Sequence, residues 1–179
     1  MRAYYHARDN RASFMIQNIS MDYQYNYLGN GERLVVTQLT ERMYATAFLA
    51  MDSFKGYAAL GPAGTGKTET IKDLASHLGI EAVVQNCSDQ LKGQVVIDFF
   101  SACSKFGAWG ICDEFNRCQL DELEVFANGI SSLDGAPWFL TMNPGYAGRT
   151  KLPDNIWHQA VKIYTILPDY CQILENMLM

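Results

Sequence analysis

Eight residues, Gly61-Pro62-Ala63-Gly64-Thr65-Gly66-Lys67-Thr68, constrain this chain more than any others. They fit G-x-x-x-x-G-K-[ST], a phosphate-binding loop that works between a strand and a helix. Both flanks are predicted here. The apolar run Tyr57 to Leu60 reads as a strand, and Glu69 to Leu78 carries a helical pattern. Glycines let the backbone curl until successive N–H groups point inward at phosphate oxygens. Lys67 is then expected to reach the β- and γ-phosphates, and the Thr68 hydroxyl to ligate Mg²⁺. The positive end of the helix dipole falls on the same anion. A chance glycine-rich turn needs neither the lysine and threonine nor both flanking elements. The expectation is a nucleoside triphosphate site.

The rest of the composition narrows the class. A chain of 179 residues suits one domain and can bury roughly 70% of its unfolded surface. The net charge is −5 and Lys and Arg do not cluster, which argues against a nucleic-acid partner. A single nucleotide held by backbone amides needs no basic footprint. Cys87, Cys103, Cys112, Cys118 and Cys171 form no C-x-x-C, and His6, His77 and His158 do not fall near them at ligand spacing. Reduced cysteines used as small core residues are therefore expected, which points to the cytosolic side of the cell. No apolar run approaches the roughly 18 residues that span a bilayer. Met1 to His6 lacks the apolar core of a signal peptide. A soluble, intracellular protein without a membrane partner is expected.

In chain order, Tyr23-Gln24-Tyr25-Asn26-Tyr27 alternates as a short strand, closed by a Gly29-Asn30-Gly31 turn. The many tyrosines of residues 1–30 fit an interface or a half-buried sheet better than a catalytic site. After a brief extended run, Leu34 to Val36, Thr37 can cap a helix over 38–53. Leu39, Met43, Ala47, Ala50 and Met51 share its apolar face. Past the phosphate loop, Ile71, Leu74, Ala75 and Leu78 form a stripe and Gly79 ends the helix. A strand over Glu81 to Asn86 precedes a helix burying Val95, Val96, Phe99, Phe100 and Cys103, closed by Gly107. A helix over 119–131, a turn around Asp134-Gly135 and a strand over Trp138 to Met142 come later. Lys151 to Asn155 reads as a loop, Ile163 to Leu167 as the last strand, and the end as a short helix. Strands alternate with helices from Tyr57 onward, so the expected fold is a three-layer α/β domain with a mostly parallel sheet.

The continuous apolar run Ala108 to Cys112 suits a central parallel strand, and it ends in Asp113-Glu114. Two carboxylates are thereby set at the C-terminal sheet edge, where open α/β folds bind ligands. Asp113 is expected to hold Mg²⁺ and Glu114 to polarise the attacking water. Alone, an apolar run ending in Asp-Glu marks only a strand end. About one β-α unit downstream of a phosphate loop, it supports that loop. Asn143 follows the next strong strand; it is either a turn-former before Pro144-Gly145 or a partner of the γ-phosphate or lytic water.

Together these stretches resemble one family. Residues 61–70 (GPAGTGKTET), 86–89 (NCSD), 109–117 (WGICDEFNR), 141–149 (TMNPGYAGR) and 152–155 (LPDN) resemble the first AAA+ module of dynein heavy chains. That module is the main ATP-hydrolysing part of the motor ring. Residues 27–30, 33–37 and 39–40 are similar to the approach to it, and residues 1–5 to the end of the preceding linker. The resemblance implies a P-loop NTPase fold of AAA+ type, its five-stranded, mostly parallel sheet flanked by helices and the Walker A strand central. It divides the chain into a linker-like segment 1–30, a large nucleotide-binding subdomain 31–168 and the start of a truncated helical lid at 169–179. Gly61, Pro62, Ala63, Gly64, Thr65, Gly66, Lys67, Thr68, Glu69 and Val36 would bind ATP, Val36 near the adenine. Thr68 and Asp113 would hold Mg²⁺, and Glu114, Lys67 and Asn143, the last as sensor, would act in catalysis. Implied partners are neighbouring AAA+ modules and the linker, dynein intermediate and light chains, and microtubules through the complete motor. The implied location is the cytoplasm and cytoskeleton, with a ciliary axoneme open.

The sequence also departs from the family pattern. The helix-plus-hairpin insertion usual between the DEFNR and TMNP blocks is missing. Val161 stands where the family carries the arginine of Phe-Arg-Pro, and Gln38 where a proline is usual. The lid is largely missing. Two functions compete on these grounds: a slowly hydrolysing ATPase module, and a truncated paralogue that binds nucleotide without productive hydrolysis and serves as an interaction module. A small-molecule P-loop kinase fits poorly, because only Arg149 and Lys151 fall where basic lid residues would be needed.

Overall fold

The computed structural model describes residues 1–31, 34–133, 135–145 and 150–178, without the side chains of Ser131, Ser132, Gln172 and Asn176. Arg33, Asp134 and the Tyr146 to Arg149 part of the TMNP block lie outside the described residues.

The chain opens on an antiparallel meander: β1 (Arg2–His6), β2 (Arg11–Ile16) and β3 (Ile19–Asp22). Its register pairs Phe14 with both Ala3 and Met21. Phe14, Ile16, Ile19 and Met21 pack inward beside helix α1 (Gln38–Asp52), whereas β1 is exposed along its whole length. Thr37 caps α1 as expected, in a reciprocal box: the Thr40 N–H donates to Thr37 Oγ1 and the Thr37 N–H to Thr40 Oγ1.

The expected strand over 23–27 is a correction. Regular pairing ends at Asp22, and Tyr25 takes a left-handed φ of 59° that breaks the pleat. Gln24 N–H donates to the carbonyl of Leu78 (2.9 Å) and Asn26 Nδ2 to that of Gly79 (2.8 Å). The segment therefore crosses the end of helix α2 (Lys67–Leu78) and makes no ladder there. β1 carries no apolar alternation to read because every one of its residues is exposed, and in β2 only Ser13 is fully buried.

Behind the meander lie five strands, all parallel: β4 (Gly56–Leu60), β5 (Ala82–Asn86), β6 (Trp109–Asp113), β7 (Trp138–Met142) and β8 (Ala160–Tyr164), in the order β5-β6-β7-β4-β8. Alternation along each strand feeds two cores. Tyr57, Ala59, Trp109, Ile111 and Phe139 face α1 and α2. Ala58, Leu60, Cys112, Leu140 and Met142 face α3 (Gly93–Phe106), α4 (Leu120–Gly129) and the short α5 (Asp154–His158). β4 and β7 are buried at every position, which is why their sequences read as continuous apolar runs. The three-layer α/β expectation holds.

Details differ where packing overrode pattern. In α3, Ile97 is buried and Val95 is 48% exposed, because the apolar face is centred on Val96, Phe100 and Cys103. The last strand pairs over Ala160–Tyr164, against β4, and leaves Ile166 and Leu167 exposed. The expected loop at 151–155 runs into α5. Four cysteines are core residues, but Cys171 is exposed on the terminal helix α6 (Tyr170–Leu178).

A buried polar contact joins the two helices on one face. The Tyr44 hydroxyl donates to Asp73 Oδ2, and His77 Nδ1 lies 3.4 Å from the same oxygen. Burial, followed by the bond to Asp73 and its charge, pushes the Tyr44 phenol well above its ordinary range. Tyr44→Phe removes the hydroxyl that donates to this buried carboxylate, whereas His77 Nδ1 bonds the Asp73 backbone carbonyl at 2.8 Å. The substitution is expected to cost about 1–3 kcal/mol, read as a lower urea midpoint with an unchanged slope.

Candidate nucleotide-binding site

The phosphate loop joins β4 to α2 at the C-terminal edge of the sheet, between strands β7 and β8. Gly64 (φ 75°) and Gly66 (φ 73°) take left-handed conformations that side-chain-bearing residues enter at a cost. This curl brings the first turn of α2, whose N–H groups have no intrahelical partners, to a cavity of about 400 Å³. Ala63 to Glu69, Asp113, Glu114 and Asn143 line it, together with Lys72, Val84, Asn86 and Met142.

Lys67 is 8% exposed. Its Nζ donates to the carbonyls of Gly61 (2.9 Å) and Pro62 (2.6 Å) and to Thr65 Oγ1 (3.3 Å). Burial lowers its pKa, and the charges of Asp113 and Glu114 pull the other way. Gly61 and Pro62 thus hold the lysine through their carbonyls and are not among the cavity-lining residues.

Thr68 Oγ1 donates to Asp113 Oδ1 at 2.7 Å, across the gap between α2 and β6. Thr141, fully buried in β7, donates to the same Asp113 oxygen. Its hydroxyl also accepts the Glu114 N–H at 3.1 Å. Thr141 therefore links both carboxylate residues to the sheet, and the sequence reading missed it. The available signal was a single polar residue inside the apolar run Trp138 to Met142.

Glu114 sits in a left-handed conformation (φ 52°) at the head of the 3₁₀ turn Phe115–Arg117, and its carboxylate pairs with Arg117. For a non-glycine residue this conformation costs about 1–3 kcal/mol, a kind of strain that gathers at functional sites. Asn143 is 4% exposed, and its carbonyl accepts from Asn116 Nδ2 at 3.0 Å. Glu69 reaches the cavity rim and pairs with Lys72. Val36, by contrast, is 49% exposed and is not among the residues lining the cavity. Val161 lies half-buried within β8, in register with Tyr57.

The donor set fits a hydrated Mg²⁺. Thr68 and Asp113 present two hard oxygens in contact, and no cluster of three or more His, Cys, Asp or Glu suited to a metal occurs among the described residues. Mg²⁺ commonly takes one or two protein oxygens and fills its shell with water and phosphate.

The family model for the hydrolytic ATP-binding site of the dynein motor region matches residues 23–137 and 135–179. The chain belongs to this dynein family. Human dynein axonemal heavy chain 1 is 43% identical over 179 aligned residues, covering 88% of this chain. Dynein heavy chain-like protein 2 of Plasmodium falciparum (isolate 3D7) is 39% identical over 195, covering 97%. The chain spans about 4% of the length of either relative. The dynein match divides at residues 135–137, in the connection between α4 and β7. There the chain passes from α4 through a 3₁₀ turn, Ile130–Leu133, towards β7.

Proposed function

We propose that this chain binds ATP with Mg²⁺ and hydrolyses it as the first AAA+ module of a dynein-type motor. The observation that carries the reading is the Thr68–Asp113 contact, made in a cavity that Lys67, Glu114 and Asn143 also line. When bound, Mg²⁺ supplies positive charge to the β- and γ-phosphate oxygens. The loop amides and α2 hold the phosphate chain, and Lys67 turns from its own loop carbonyls towards the β/γ oxygens. The Glu114 carboxylate orients the attacking water and takes its proton, while the Asn143 amide bonds the γ-phosphate or that water. Thr68 and Asp113 would hold the metal ion. Glu69 borders the site, and the segment around Val36 approaches the adenine.

Residues 1–30 act as linker-like chain, 31–168 as the large subdomain and 169–179 as the start of a lid. Neighbouring AAA+ modules, the linker, and intermediate and light chains are the partners. Microtubules are met through the complete motor, in the cytoskeleton and, as the names of the axonemal relatives suggest, in cilia. An arginine supplied by a neighbouring module can contribute about 10³–10⁵ in rate, and Val161 supplies none from this position. The chain alone is therefore expected to bind Mg·ATP in a calorimetric titration and to release phosphate slowly. Absence of ATP binding would overturn the reading.

A further inference from the structure

Thr165 lies one residue beyond β8, far from the phosphate loop in sequence, yet it is 4% exposed and in contact with that loop. Its N–H donates to the Leu60 carbonyl at 2.6 Å, extending the β8 pairing to the last residue before the loop. Its hydroxyl lies 3.2 Å from the same carbonyl and 3.0 Å from Thr65 Oγ1. Thr65 is itself buried, and its Oγ1 accepts from Lys67 Nζ. A hydroxyl has one proton to give. Thr65 Oγ1 also lies 3.1 Å from the Pro62 carbonyl, so either Thr65 donates there and accepts from Thr165, or it donates to Thr165, whose own proton then goes to the Leu60 carbonyl. Both arrangements keep the bond between the two threonines, and its burial strengthens it relative to one in water. The first residue of the loop rests on the same side chain: a Cβ at Gly61 would lie 2.0 Å from Thr165 Oγ1 and 2.5 Å from the Thr165 carbonyl oxygen.

We propose that Thr165 is a positioning residue of the phosphate loop, holding Thr65, and through it Lys67, in the geometry that receives the triphosphate. The proposal rests on the ATP-binding reading. Thr165 is not itself among the cavity-lining residues and meets the cavity only through Thr65, so it acts on affinity. Without its hydroxyl the loop is less ordered before binding, and the added ordering cost is subtracted from the binding free energy.

Thr165→Val keeps the shape and removes the hydroxyl, while Leu60 keeps the N–H of residue 165 as its partner. The loss of one net hydrogen bond is expected to raise the ATP Kd by about fivefold, with KM following and kcat unchanged. Thr165→Ser restores the affinity. Adding Thr165→Val to Thr65→Val costs less than it does alone, because both remove the same link. In the nucleotide-free protein, amide hydrogen exchange over residues 61–66 is expected to quicken in Thr165→Val and recover in Thr165→Ser. Wild-type affinity and exchange in Thr165→Val would overturn the proposal, as would additive losses in the double variant. A wild-type chain that binds no ATP would instead sink the functional reading, and the exchange comparison would still decide whether Thr165 orders the loop.

Discussion

Glu114→Gln is expected to slow ATP hydrolysis by about 10²–10⁴-fold, the usual worth of a positioned general base, with ATP affinity unchanged. Glutamine keeps the size of the side chain and can still accept from Arg117, so the cavity wall is preserved. What disappears is the ability to take a proton from water. The left-handed backbone at residue 114 is set by the chain around it, including the 3.1 Å bond from its N–H to Thr141, and an amide side chain leaves that bond in place. Single-turnover phosphate release beside a nucleotide titration separates the two effects. Unchanged turnover would remove Glu114 from the role of base and leave it as a cavity-lining residue held by Arg117.

Lys67→Ala is expected to weaken ATP binding by about 10–100-fold, the loss of one charged hydrogen bond of roughly 1.5–3 kcal/mol. In the proposed role the lysine meets phosphate as a cation, and burial lowers its pKa. Wild-type affinity should therefore fall as alkaline pH passes through that lowered pKa, and the alanine variant should show no such limb. Stability of the nucleotide-free chain runs the other way. A lysine whose folded pKa lies below its unfolded one penalises the fold while both states are protonated. Stability then rises with pH between the two values, because the unfolded chain holds more protons there. Titrations of ATP binding and urea unfolding across this range, in both proteins, check both signs. A shared alkaline limb in the two binding curves would show that another group controls it.

The parts of the site readable in the sequence were those in which local chain conformation and chemistry coincide. Gly64 and Gly66 specify a curl that few other residues tolerate, and Lys67-Thr68 begins the helix that the curl feeds. Asp113-Glu114 ends an apolar run whose length and character announce a buried parallel strand. Thr141 and Thr165 were not readable as site residues. Each acts through contacts with residues distant in the chain, and no short-range pattern marks a threonine that will meet Asp113 or Thr65. Val36 was assigned to the nucleotide by resemblance alone, and the structure leaves it off the cavity lining.

The fold divides in the same way. Buried strands and amphipathic helices carry periodicities of 2 and 3.6, so β4, β6, β7, α1 and α2 follow from residue order. The meander of β1, β2 and β3 does not, because it is half-exposed and its pairing depends on which backbone groups find partners. Asn26 is the clearest case: its amide caps the carbonyl of Gly79, and the chain there follows α2 instead of continuing as a strand. By itself the sequence determined the three-layer sheet, the phosphate loop and the two carboxylates at its edge. Only the tertiary structure decided which hydroxyls hold them, because a buried hydrogen bond is specified by the atoms brought opposite it and not by neighbours along the chain.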